Sequence, residues 1–210
     1  SITDPTSFYN LINGVEDPAP NTRAGNELKY IRLVAKQTNF YADVVKDAAL
    51  SVTQQSTYPA NNSLADQLKI VARLIKGGLK TKIYMVSYTG FDTHSLQVDS
   101  NDTSIGRHAT LLANVSGAIA AFQADLKYLD IEDRVMGLTF SEFGRRIKSN
   151  SSSGTDHGSA APLFVFGKKA NQMILGNTPE LPANATSNDN IPMQYDFRSV
   201  YATMLQDWLC

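Results

Sequence analysis

Short apolar runs, most of them flanked by glycine, alternate along this chain with long stretches of helical periodicity, and this alternation narrows the choice of fold more than any other feature. Leu28, Ile31, Ala35, Thr38, Ala42, Val45 and Ala49 recur at helical spacing, which predicts a helix with a single buried stripe. The first 26 residues ahead of it read as loop, and polar Gln54 to Asn62 as a linker or mobile loop. Ser63 is a good N-cap with Asp66 as its capping-box partner. It opens a helix carrying Leu64, Leu68, Val71, Ala72 and Ile75 on one face, stopped by Gly77-Gly78. A buried strand is predicted over 80–88, where Ile83-Tyr84-Met85-Val86 is compact and partly β-branched. A long helix follows, with Ile105, His108, Leu112, Val115, Ile119, Phe122, Leu126 and Leu129 on its apolar face. Strands are predicted over 133–140 and 161–167, and Asp196 caps a last helix reaching Trp208. The order helix, strand, helix, strand, strand, helix is α/β, a sheet flanked by helices. Residues 1–62 read as a loop and helical segment and 63–210 as the sheet portion, together one domain.

The chemistry-bearing residues lie just past the predicted strands, where open α/β sheets place their sites. Of the three histidines, two sit in polar, glycine-flanked motifs. Asp92 and His94, in Gly90-Phe91-Asp92-Thr93-His94, are two residues apart and share a face if the segment is extended. A carboxylate and an imidazole together suit a borderline divalent cation such as zinc. Asp156-His157 supplies a second pair after a Ser/Gly/Asn-rich loop over 149–155. Glu142 lies just beyond a strand end, and Arg145 and Arg146 follow at once, with guanidinium forks that match an oxyanion. Each also has a plainer reading: Asp92 and Thr93 as an Asx or ST turn, Asp156 as a turn residue, the arginines as solvated or paired with Glu142. His108 fits a hydrogen-bonded core position as well as it fits a ligand.

Charge and composition remove other classes. Nineteen Lys and Arg against 20 Asp and Glu leave a net charge of −1, which argues against nucleic-acid binding. No apolar stretch approaches the roughly 20 residues of a membrane span. The one cysteine, Cys210, leaves no internal disulfide. Ser1 to Asn10 has neither the basic start nor the apolar run of a signal peptide.

Three segments, from Leu64 to Gln97, Asp133 to Gly167 and Asp196 to Leu209, resemble the bacterial family called domain of unknown function 1501, of the alkaline phosphatase and sulfatase superfamily. The resemblance implies the C-terminal part of an alkaline phosphatase-like fold. It also implies a metal-dependent hydrolase of phosphate or sulfate esters, acting on a small-molecule or glycan ester with a divalent metal (zinc, calcium, manganese or magnesium). Asp92 and His94 match the superfamily's Asp/His pair, and His157 matches its late Gly-x-His-Gly motif and would complete the same site. Ser141-Glu142-Phe143-Gly144 stands where the superfamily has Ser-Asp-His-Gly, with Glu142 for the Asp and Phe143 for the ligand His. A second alignment instead sets Asp156-His157 on the Asp-His motif. The superfamily's nucleophile and first metal-binding Asp come from an early strand, and nothing before Asp92 reads as one. The resemblance therefore implies that an N-terminal remainder of a longer parent supplies them, and that the parent is periplasmic or secreted. A non-catalytic exported binding or scaffold protein of the same fold is the alternative expectation.

Overall fold

The computed structural model describes residues 18–210, so the loop expected over the first 26 residues lies, for residues 1–17, outside the described residues. The architecture mixes helices with two small two-stranded antiparallel sheets, in keeping with an α/β chain. Described residues up to Thr53, together with Arg73–Lys80, make one compact unit, and Gln54–Ala72 with Thr81–Cys210 make another.

In the first unit, helix α1 (Arg23–Leu50) begins earlier than its apolar spacing suggested, because Thr22 accepts a hydrogen bond from Gly25 N at 3.1 Å and caps it. Of the predicted stripe, Leu28, Ala35, Val45 and Ala49 are half-buried, but Ile31, Thr38 and Ala42 are exposed, and Ala48 is the buried alanine. The last turn of helix α2 (Ser63–Lys76) belongs to this unit. Its Arg73 donates to Ala49 O through Nε at 3.2 Å and through the guanidinium terminus at 2.9 Å. Gly78, at φ +86°, takes the left-handed position that ends α2 while Leu79 N reaches back to Leu74 O at 3.0 Å.

In the second unit the cap of α2 is Asn62 rather than Ser63. Its Oδ1 accepts from Leu64 N and Ala65 N, both at 3.1 Å, and its Nδ2 donates to Asn114 O at 2.8 Å. Asn62 is thereby buried and belongs to a strap, not to a mobile linker. Residues 54–62 run back along helix α3 (Arg107–Tyr128): Tyr128 OH donates to Gln54, Pro59 lies beside Gly117, and Asn62 reaches Asn114. The central fastening is Asp125, fully buried, which accepts from Gln55 Nε2 (2.7 Å), Ser56 N (2.7 Å) and Tyr58 OH (2.9 Å). A buried carboxylate is tolerated because three donors replace its water. Burial, then the hydrogen bond to Asp125 and that carboxylate's charge, push the Tyr58 phenol well above its ordinary pKa.

The strap lies along α3, whose buried face differs from the predicted one. The buried residues of α3 are Leu111, Ala118, Phe122, Asp125 and Leu126, whereas Ile105 and Leu112, expected inside, are exposed. Alanine, valine and leucine lie on several sides of this helix, so periodicity alone fits more than one orientation.

The predicted strands are realised only in part. Residues 80–88 join neither sheet. They alternate exposed and half-buried, with Ile83 at 65% and Met85 at 80% exposure. The Gln67 carboxamide bonds both backbone groups of Ser87, at 2.9 and 3.1 Å, doing for that residue what a neighbouring strand would do. The expected strand over 133–140 begins instead with a 3₁₀ turn (Glu132–Arg134) and narrows to β1 (Gly137–Leu138). β1 pairs with β4 (Val165–Phe166), and beyond the pair Phe164 N donates to Thr139 Oγ1, a side chain in place of a ladder carbonyl. The second sheet pairs β2 (Gly144–Arg145) with β3 (His157–Gly158), setting Arg145 opposite His157. Asp196 caps the last helix, α4 (Phe197–Thr203), by accepting from Arg198 N, and the chain continues as a π turn (Met204–Trp208).

Candidate metal centre

The β2–β3 pairing and two loops bring Asp92, His94 and His157 together in the second unit, with one ligand atom of each within 4.8 Å of the others. Asp92 Oδ1 is the focus. His94 Nδ1 and His157 Nε2 each lie 2.8 Å from it, and an Arg145 guanidinium nitrogen lies 3.3 Å away. The hydrogen bond from His157, aided by the charges of His94, His157 and Arg145, holds the Asp92 carboxyl below the usual carboxylate range. All three residues are exposed, so the cluster opens to solvent.

The histidine rings are held by stacking. Phe143 lies flat on His157, with centroids 3.8 Å apart and planes 9° from parallel. The His94 ring packs against His157 at 4.6 Å. The Arg145 guanidinium carbon sits 5.0 Å from the Phe143 centroid. Phe143 thus touches a histidine of the cluster.

Three polar side chains lock the two loops against one another. Arg145 donates to the carbonyls of Thr155 and Phe91, joining both loops to β2. Gln97 Oε1 accepts from the hydroxyls of Thr93 (2.9 Å) and Thr155 (2.7 Å), and Thr93 is 1% exposed. Asn150 Nδ2 donates to His94 O (2.8 Å) and Asp156 Oδ1 (3.0 Å), while its Oδ1 accepts from Ser152 N and Gly154 N. Gly154 is needed for the approach, since a Cβ there would fall 2.2 Å from His94 O. Leu96 and Ser153 both hold left-handed φ angles, 49° and 56°, fixed by the bonds Leu96 N to Ser152 O and Gln97 N to Ser153 O. Such outliers persist only where their surroundings over-determine them. Gln97 escaped the reading of the sequence, and Asn150 figured there only within an Asn/Ser-rich loop. Nothing in their local pattern marks them.

The remaining candidates stand apart. Asp156 faces Asn150 and is not among the converging ligands, and Glu142 is exposed with no ion pair among the described residues. Arg146 donates to His157 O (3.2 Å), Ser187 O (2.7 Å) and Asn188 Oδ1 (2.6 Å). His108 sits edge-on to Phe91 at 6.1 Å, outside the cluster, with its buried Nδ1 unbonded among the described residues.

Two imidazoles and one carboxylate are a donor set for a borderline divalent cation, with room on the solvent side for further ligands. A cation would take the place of the contacts that His94 Nδ1 and His157 Nε2 now make with Asp92 Oδ1. No helix among the described residues is long and apolar enough to cross a membrane. Comparison with curated proteins and with solved structures finds no match for this chain. The family described as "Protein of unknown function (DUF1501)" matches residues 17–208, and the chain belongs to that family.

Proposed function

We propose that this chain contributes the metal-holding part of a divalent-metal-dependent hydrolase of phosphate or sulfate esters. The observation that carries the reading is the convergence of Asp92, His94 and His157 from segments more than 60 residues apart in sequence. One carboxylate with two imidazoles favours zinc over calcium or magnesium, which prefer all-oxygen shells. A bound divalent cation supplies Lewis-acid polarisation of the ester and lowers the pKa of a bound nucleophile. The chain's own residues do the holding. Asp92 supplies the charge, Phe143 and His94 fix the His157 ring, and Arg145 keeps Asp92 turned toward both histidines while bonding two carbonyls. Metal analysis of the purified chain tests the reading: about one zinc per chain is expected, lost in His94→Ala. A chain that takes up no divalent metal would end it.

A second reading has its own observation. Phe143 stands where the superfamily resemblance expects a ligand histidine, and Arg145, a candidate oxyanion binder, already donates to two carbonyls. These favour a non-catalytic protein that keeps the fold and the cluster for binding or structure. An ester-hydrolysis screen with zinc or manganese separates the two, because turnover that His157→Ala abolishes excludes the second.

A further inference from the structure

Thr93 is the inward residue of the Asp92-Thr93-His94 triplet. It is buried while both its neighbours are exposed, so whatever fixes Thr93 also fixes how Asp92 and His94 are presented. Its hydroxyl donates to Gln97 Oε1 at 2.9 Å, and the Thr155 hydroxyl, two residues before His157, donates to the same oxygen at 2.7 Å. One acceptor therefore ties the segment that carries two of the ligands to the segment that carries the third. The main chain repeats the tie, with Thr155 N donating to Thr93 O at 3.3 Å.

Gln97 is itself held at both of its backbone groups. Its N donates to Ser153 O at 2.9 Å, and its O accepts from His108 N at 3.0 Å. His108 lies in the first turn of α3, where Gly106 offers no side-chain cap. The Gln97 carbonyl thus takes up one of the amides that a helix start leaves without an intrahelical partner. The same helix buries Leu111, Ala118, Phe122 and Leu126. A continuous path runs from this packed helix through Gln97 to both ligand segments. None of the Gln97 bonds goes to Asp92, His94 or His157, and its Nε2 bonds no described residue, so the side chain acts through its oxygen alone.

We propose that Gln97 is a positioning residue of the metal centre. Its side-chain oxygen sets the spacing between Asp92 and His94 on one side and His157 on the other, and through that spacing the affinity for the ion. The proposal rests on the metal-holding reading for the ion alone.

The test compares the full chain with Q97M, which keeps the length of the side chain but loses the acceptor, and Q97E, which keeps an acceptor. Competition with a chromogenic chelator should show zinc held about tenfold or more weakly by Q97M, the usual cost of losing a group that orients ligands. Q97E should bind zinc at least as tightly as the wild type. The visible absorption of bound cobalt(II), which reports ligand geometry, should change in Q97M and be restored in Q97E. T155V removes one of the two donors and should show a smaller loss of the same kind, which keeps the test open if Q97M does not fold. Asn62→Ala, a cap lost elsewhere in the unit, should leave zinc affinity unchanged. Unchanged affinity in Q97M and T155V, or an equal loss in Asn62→Ala, overturns the proposal and leaves the metal reading standing. A second arm needs no metal. The His94 and His157 rings, 4.6 Å apart, should give a nuclear Overhauser contact in the wild type that Q97M loses, while the ring-current shift of His157 by Phe143 remains. If the wild type binds no zinc, the hydrolase reading falls and this contact alone decides. Its absence from the wild type, or its persistence in Q97M, overturns the positioning role.

Discussion

A single carboxylate oxygen organises the candidate centre, so changes at one residue should report on it sharply. Phe143 touches His157 face to face but carries no donor atom, and its role is to fix the ring. Phe143→Ala should weaken zinc binding about tenfold or more, the usual cost of losing a group that orients a ligand, while Phe143→Tyr should keep most of the affinity. Competition with a chromogenic chelator measures both, and equal affinity in all three chains would refute the positioning role. Asp125 is the comparison case. It is buried and fully bonded yet belongs to the scaffold, so Asp125→Ala should cost about 3 kcal/mol by leaving Gln55, Ser56 and Tyr58 unsatisfied. Urea unfolding should show that loss with zinc affinity unchanged. Asp92, His94 and His157 could be singled out in the sequence because an Asp-x-His and an Asp-His pair beside glycines offer donor atoms close together, although Asp in such places also serves turns. Gln97 and Asn150 could not, because a carboxamide becomes a clamp only when partners from distant segments surround it.

Among the elements, the cap of α2 shows how a local rule selects the wrong neighbour. Ser63 and Asp66 fit a capping box, but Asn62 accepts from two helix amides and also bonds Asn114 O. Asn62→Ala should cost about 2 kcal/mol, at the upper end for caps because a buried tie is lost with it, whereas Ser63→Ala should cost under about 0.5 kcal/mol. Thermal unfolding of both variants decides, and the reverse order would restore Ser63 as the cap. At α4 the local rule holds, and Asp196 caps the helix. Its carboxyl is lowered from 3.8 to about 2, first by the side-chain hydrogen bond from Arg198 and then by Arg198 N. A depressed folded pKa stabilises the folded state above the unfolded value, so the contribution is complete above about pH 5 and is lost as pH falls toward 2. Carboxyl NMR should place the Asp196 midpoint near 2, and Arg198→Ala should move it upward. The apolar run over 80–88 reads as a buried strand, yet strand character depends on a ladder that no local pattern supplies. Here the Gln67 side chain takes up the backbone groups of Ser87 instead.

For the molecule as a whole, metal binding and folding should be coupled, because the loop carrying Asp92 and His94 meets β3, which carries His157, only in the folded chain. Zinc at about a hundred times its Kd should add roughly 2.7 kcal/mol of stability, seen as a higher Tm that EDTA reverses and His157→Ala lacks. An unchanged Tm in the presence of bound zinc would mean that the unfolded chain binds the metal equally well. The sequence by itself determined where the helices lie, that the chain mixes helix and sheet, and which Asp and His residues carry donor atoms. Spacing and residue type express those properties within a few positions. Only the tertiary structure decided that His157 reaches Asp92 while Glu142 and Asp156 stay outside, that α3 turns Leu111 rather than Leu112 inward, and that the polar stretch 54–62 is a strap. Each of those outcomes depends on partners tens of residues away, and a local pattern holds no information about which distant group will meet it.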